Sequence, residues 1–414
     1  MSPILKIAAR NLVRYRRRTF LTALLIVIGV VSVLTFVGAA GSFKRMMVGL
    51  ITDSMLGHVQ IHRRGYVASI ENLPLNLNMG GGMSRRAEEL LNASPDVASY
   101  APRVKFGAML SNFAETTSIR VNGVDPEREA ATTPMLPGRM LERGSGAIVN
   151  RGEILVPVLL ARGLGLKQGD EVVLIATNKE GSVNGKSFRV RSALESVTGP
   201  GGRDGYIHIE DAKEVLRITQ PEISEYVIRL KDVEATDRVS GALAQAMADF
   251  KNKQGMPALE VHPWERLSPF SNIANMIDML TIFVRVLLVA IVLISVMNVM
   301  VMAVYERIRE IGTMAAIGTR PGSIMSLFVT EGLLLGVFGS AIGIAVSLAV
   351  IQGINVSGIT FAFGQQRDIP LTAVIGIRDV AMVSVMVVTV SVLASLQPAW
   401  KAARMNPINA LRHV

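Results

Sequence analysis

The chain has 414 residues; half are hydrophobic, 18% are charged, Gly numbers 37 and Cys is absent. This composition excludes a disordered chain and falls well short of the roughly 25% charged content of soluble domains. The missing Cys excludes a disulfide-stapled scaffold, a Cys-ligated metal and a Cys nucleophile. Nine units of the formal charge of +10 sit at the two ends. Residues 1–18 carry Lys6, Arg10, Arg14, Arg16, Arg17 and Arg18 with no acid, and 397–414 carry Lys401, Arg404 and Arg412 with no acid. Basic residues flanking apolar runs are a positive-inside pattern. A nucleic-acid surface would put the excess on a folded domain with a reader motif, and none is present.

In chain order, residues 1–18 read as a basic amphipathic helix on the inner membrane surface. Ile4, Leu5, Ala8, Leu12 and Tyr15 recur at helical spacing, with Lys6, Arg10, Arg14 and Arg17 on another face. Four segments are apolar for about the 20 residues that a bilayer core requires: 19–41, 286–305, 332–354 and 375–396. The first is longer than a signal-peptide core and reads as an uncleaved anchor. The expected fold is therefore membrane α-helical, with four transmembrane helices and a large α/β extracytoplasmic domain at 42–272, inserted between helices 1 and 2. Both termini are then cytoplasmic, as is the 306–331 loop. Residues 273–305 form a stalk running into the second span, 355–374 a short outer loop and 397–414 a cytoplasmic tail.

Within the outer segment, alternation predicts strands at 57–62, 104–110, 117–124, 171–176, 187–193, 206–209, 226–230 and 258–262. Ser84 is placed to cap a helix through Ala87, Leu90 and Leu91; further helices fall at 210–217 and 234–254. Asn184-Gly185 reads as a hairpin turn. Two flanking pieces, 57–130 and 220–265, are expected to join as one lobe, and a β-rich middle at 150–210 forms a second.

The chemistry-bearing motifs are few. Gly181 and the Gly185-Lys186-Ser187 triplet look like a phosphate loop but lack one spacer residue and lie between strands. That stretch reads as a hairpin loop, and the chain is not expected to hydrolyse ATP. His58 and His62 have no third ligand nearby and read as core or surface histidines, not zinc ligands. No catalytic constellation is present. Gly332, Gly336 and Ser340, and likewise Gly339, Gly343 and Ser347, recur every four residues, a spacing that lets membrane helices approach closely, within a subunit or across a dimer. Asn298 is the strongly polar residue of the second span; it would bond a neighbouring helix or line a cavity. With Met276, Met279, Met297, Met300 and Met302 it outlines a soft face suited to apolar cargo or to lipid. Asp278 and Arg285, two turns apart, suggest that this helix continues beyond the bilayer. The 306–331 loop is the sharpest signal. A polar-faced helix with Glu306, Arg309, Glu310 and Gly312, a break at Gly318, Arg320 and then a second short helix would form a knob that docks in a separate ATPase.

Arg309-Glu310-Ile311-Gly312 followed by Ile317-Gly318-Thr319-Arg320 resembles the permeases of the MacB, LolC/LolE and FtsX superfamily of ABC transporters. The tail, with Pro398, Ala399, Ala402, Ala403, Arg404, Pro407, Ala410, Leu411 and Arg412, is similar to that family's tail; Asn406 stands where Asp is usual. Arg10-Asn11-Leu12 with Thr19, Leu21 and Thr22 is similar to its start. The resemblance implies a dimer with a second copy or a paralogue, surrounded by membrane lipid in the bacterial inner membrane. It also implies two cytoplasmic ATPase subunits, which hold the ATP and Mg, this chain binding no cofactor. Motion driven from below would move the outer domains on periplasmic cargo. Gly57–Ile61 with Gly65-Tyr66, and 121–126, resemble the lipoprotein-releasing branch, which implies release of lipidated cargo and a periplasmic lipoprotein carrier or adaptor. The loop at 177–186 is shorter than that branch's carrier-engaging loop and has no Pro. A MacB-like exporter of peptides or drugs and an FtsX-like regulator of a cell-wall hydrolase are the alternatives.

Overall fold

The computed structural model describes residues 3–142, 146–196, 202–363, 366–407 and 410, with the backbone alone at 3, 18, 361–363 and 366–369. Leu411 and Arg412 of the tail motif lie outside the described residues. Helices α1 (Pro3–Arg14) and α2 (Arg16–Ile51) open the chain. They break at Tyr15, where Thr19 Oγ1 donates to the Leu12 carbonyl oxygen at 2.9 Å. Then follow β1 (Val59–Arg63), β2 (Met79–Gly80), α3 (Gly81–Ala93), β3 (Val97–Ser111), β4 (Thr116–Val124), α4 (Pro126–Thr132), β5 (Glu153–Pro157) and α5 (Val158–Gly163). Next come β6 (Glu171–Thr177), β7 (Val183–Leu194), β8 (Asp204–His208), α6 (Ile209–Leu216), β9 (Glu222–Ile223), β10 (Glu225–Leu230), α7 (Thr236–Met247), β11 (Leu259–Pro263) and α8 (Trp264–Leu267). The remainder is α9 (Phe270–Glu306), α10 (Ile308–Ala316), α11 (Pro321–Ser357), β12 (Thr360–Phe363), β13 (Gln366–Pro370) and α12 (Ile377–Ala403). Two compact units result, one of 1–45, 275–360 and 370–414, the other of 46–274 and 361–369.

In the second unit one sheet runs β11-β1-β10-β3-β4-β8-β5-β7-β6, and β6 pairs back onto the far end of β3. The last six strands therefore close a ring on β3, which removes a free edge on that side. The strands of the flanking pieces and of the middle piece, read from sequence as two lobes, are thus hydrogen-bonded into a single sheet. The length of β3 makes this possible: its first half pairs with β10 and its last residues, Ala108–Ser111, pair with β6. Phe106, Leu110, Ile154, Leu174 and Phe188 fill the core.

Three local readings are corrected. Helix α3 begins at Gly81, before Ser84, which lies inside it. The hairpin turn falls at 178–182 and not at Asn184-Gly185, which lie within β7. There the Asn178 side-chain oxygen accepts from the Glu180 and Ser182 amides, and Gly181 has φ +86°. A residue with φ > 0 favours Gly, so Gly181 is the better turn residue. Helix α7 stops at Met247 rather than Gln254, because Asn252 and Gly255 organise a tight loop.

Among the described residues, four helices are long and apolar enough to cross a membrane: Thr19–Leu56, Phe270–Glu306, Pro321–Ser357 and Ile377–Ala403. In the first unit Ile26, Val30, Leu34, Leu288, Val292, Val296, Leu335 and Val387 form their common core. The glycines of α11 serve two neighbours within this chain. A Cβ at Gly332 or Gly336 would sit 2.7 or 2.9 Å from the Cβ of Ser395 or Ser391 on α12. At Gly339 and Gly343 it would sit 2.7 Å from Ile26 and Val30 on α2. Gly339→Leu and Gly343→Leu are therefore expected to destabilise the membrane unit by about 1–3 kcal/mol each through overpacking. Gly353→Leu, whose Cβ would meet nothing within 4 Å, is expected to melt like wild type in detergent. Equal melting of all three variants would refute this packing role.

Candidate coupling site

The 306–331 segment takes its shape from its charges and from the turn at Gly318. Helix α9 ends at Glu306, and Arg307 leaves helical geometry before α10 begins. Helix α10 ends at a turn in which the Gly318 and Thr319 amides donate to the Ala315 and Met314 carbonyls at 3.1 and 3.0 Å. Gly318 has φ +89°, which side-chain-bearing residues rarely adopt. Pro321 then opens α11 at its first turn, where a missing N–H costs nothing. The second short helix read from the sequence is thus the first turns of α11, which continues without a break to Ser357. No helix-breaking residue lies between Ser323 and Glu331 to end it.

At the other end of α10 from this turn, an ionic hub centres on the buried Arg307 and Glu331. Arg307 is 5% exposed; its Nη1 donates to Glu331 Oε1 and its Nε to Glu310 Oε2, each at 2.9 Å. Glu331, itself 3% exposed, also accepts from Asn11 Nδ2 of α1 at 2.7 Å. Glu310 faces Arg14 at 3.4 Å, and the Arg307 guanidinium lies over the Phe328 ring. The hub thus ties α1, the α9–α10 junction, α10 and α11 together. Of the residues named from sequence, Glu310 belongs to the hub and Gly312 is buried on α10, whereas Arg309, Gly318 and Arg320 are exposed, as is Glu306. Sequence reading left Asn11, Arg14, Arg307 and Glu331 out of the site. An acid such as Glu331 at the mouth of an apolar run was the signal that could have found them, since a buried charge needs a partner.

The cargo-facing readings fare differently. Met276, Met279 and Asn298 are all exposed on α9, and among the described residues Asn298 has no hydrogen-bond partner. The methionines do not share one face: Met300 is buried in the helix core and Met302 is exposed. Asp278 and Arg285 pair with other helices, Asp278 with Lys44 of α2 and Arg285 with Asp379 of α12 at 2.8 Å.

The other unit also carries a buried polar cluster. Arg103 is enclosed between Glu129, reached by Nε at 3.0 Å, and Glu225, reached by Nη1 at 3.2 Å. His62 Nε2 lies 3.3 Å from Glu225 and its ring stacks on Tyr66. Burial pushes the Glu225 carboxyl up, but Lys105, His62 and Arg103 outweigh it and hold it well below the usual carboxylate range. His58 serves elsewhere, its Nδ1 accepting from the Leu230 amide at 3.1 Å. Among the described residues no three His, Asp or Glu side chains are grouped to hold a metal.

A family profile described as MacB-like periplasmic core domain matches residues 19–246, more than half of the chain. One described as FtsX-like permease C-terminal matches 282–407. The chain belongs to the MacB/FtsX superfamily of ABC transporter permeases. The lipoprotein-releasing system transmembrane protein LolC of Neisseria meningitidis is 22% identical to this permease over 338 residues, 77% of this chain and 78% of LolC. LolE of Haemophilus influenzae is 22% identical over 343 residues, 78% of this chain and 79% of LolE. The macrolide export ATP-binding/permease protein MacB of Chromobacterium violaceum is 30% identical over 192 residues, 46% of this chain and 28% of MacB. This permease is thus a membrane protein with a large α/β unit between its first and second membrane helices.

Proposed function

We propose that this permease couples ATP hydrolysis by a separate cytoplasmic ATPase to motion of its α/β unit, and that it extracts lipoproteins from the bacterial inner membrane. In this reading both termini and the α10 turn lie in the cytoplasm and the α/β unit in the periplasm, as the basic ends favour. The ATPase carries the ATP and Mg. A second copy or a paralogue completes the membrane core, and a periplasmic carrier receives the cargo. The observation that carries the lipoprotein reading is the extent of the match to LolC, which includes parts of both units; the MacB match covers less than half of this chain. The higher identity to MacB favours a second reading, export of peptides or drugs.

A photocrosslinker placed at Met276 or Met279 separates the two. Trapping of labelled lipoprotein from inner-membrane vesicles is the expected result; adducts with peptide or drug probes, and none with lipoprotein, would replace the first reading by the second. For the coupling half, Gly318→Pro is expected to insert normally. Proline fixes φ near −65°, so the turn after α10 cannot form and cargo-stimulated ATP turnover falls at least about tenfold. Unchanged stimulation in the purified complex would overturn the coupling role.

A further inference from the structure

A second, unrelated feature lies at the β11 edge of the sheet. The β1–β11 pairing brings Arg63 and Arg64 beside the loop that follows α7. That loop is rigidly built. The Asn252 side-chain oxygen accepts from the Gln254 and Met256 amides at 2.9 and 3.1 Å, Gly255 turns the chain at φ +79°, and Arg64 Nε donates to the Pro257 carbonyl at 2.7 Å. Between them is a cavity of about 610 Å³ whose walls carry Arg63, Arg64, Lys251 and Lys253 and no acidic side chain.

Three of these four cations have no carboxylate partner among the described residues. Arg64 has one carboxylate, Glu260, at 3.3 Å. Arg63 is held by backbone carbonyls, those of Asn76 at 3.0 Å and Asn78 at 3.4 Å. Neither the Lys251 nor the Lys253 ammonium has a hydrogen-bond or ion-pair partner among the described residues. Like charges around a concave surface repel one another and concentrate the field, so a compact polyanion is the ligand that relieves most repulsion. Fixed guanidinium forks beside mobile ammonium groups are also the combination that recognises phosphate oxygens. Phe250 and Met256, the latter 43% exposed, add an apolar wall, which suits an attached hydrocarbon chain.

We infer that this cavity binds clustered phosphates, a diphosphate group borne by an amphiphile or free in solution. The test uses the full-length permease in phosphatidylcholine nanodiscs, titrated calorimetrically with inorganic pyrophosphate. Saturable binding is expected, weakened by raised salt and by about tenfold or more in Lys251→Gln/Lys253→Gln. The charge-retaining pair Lys251→Arg/Lys253→Arg is expected to bind like wild type, which separates charge from folding. Geranyl diphosphate distinguishes the source: tighter binding than pyrophosphate assigns the site to a lipid diphosphate, and equal binding assigns it to the free anion. No pyrophosphate binding, an unchanged Gln pair, or tighter binding of a pentaglutamate peptide than of either phosphate would overturn the assignment.

Discussion

Glu331→Leu is expected to leave a permease that inserts and binds its ATPase but whose cargo-stimulated ATP hydrolysis is reduced at least about tenfold, the loss of roughly 1.4 kcal/mol of coupling. Glu331 accepts from both Arg307 and Asn11. Its removal leaves the buried Arg307 guanidinium with Glu310 alone and takes away the Asn11 hydrogen bond between α1 and α11. A displacement of α10 by a docked ATPase would then be absorbed locally. Glu331→Gln keeps an acceptor and the side chain's shape, so it is expected to retain more stimulation than Glu331→Leu. Cargo-stimulated turnover of the purified complex, measured beside basal turnover, decides the matter. If Leu and Gln variants lose equal stimulation, or neither loses any, the hub does not transmit force.

The largest stability effect is expected at Arg103. Its side chain is 1% exposed and its partners Glu129 and Glu225 are both 0% exposed, so Arg103→Leu leaves the buried Glu129 without its cation and Glu225 with Lys105 and His62 alone. Breaking a buried pair from one side costs about 3–5 kcal/mol, which lowers Tm by roughly 10 °C in a domain of this size. Arg103→Leu combined with Glu129→Leu is expected to recover much of that loss, because the larger part of the cost is the uncompensated charge. A single variant melting within about 2 °C of wild type would show that the cluster does not hold the α/β unit together.

The same cluster has a pH signature. The folded-state pKa of Glu225 is depressed, so its contribution is fully present above the unfolded carboxylate value of about 4.3. It is lost as the pH falls below that value towards the folded one. The α/β unit is expected to keep its melting temperature from neutral pH down to about pH 5 and to lose it steeply in stronger acid. Loss of stability already between pH 7 and 6 would point to a different group.

The four membrane helices were legible because each is a local property: an unbroken apolar run of sufficient length, whatever surrounds it. The turn at Gly318 was legible for a similar reason, since a glycine between a polar helix and Pro321 is a local stop signal. Its partner network was not. Asn11 and Glu331 are 320 positions apart and Arg103 and Glu225 are 122 apart, and no periodicity relates residues so distant. The Asn184-Gly185 reading failed because a good turn dipeptide was outweighed by the pairing of Asn184 and Gly185 with Ala176 and Ile175 across the sheet.

Sequence alone therefore determined the class of this protein, a permease with an α/β unit inserted between its first two membrane helices, because hydrophobic length and the three separated motifs that resemble the family are each set by nearby residues. Tertiary structure decided which small residues of α11 meet α12 and which meet α2. It also decided that β3 is long enough to close a ring with the middle strands, and that scattered charges converge into two buried hubs. Those outcomes depend on which surfaces meet when distant segments exclude water together. Burial gives a charge its partner requirement, and only the folded chain determines which charges are buried.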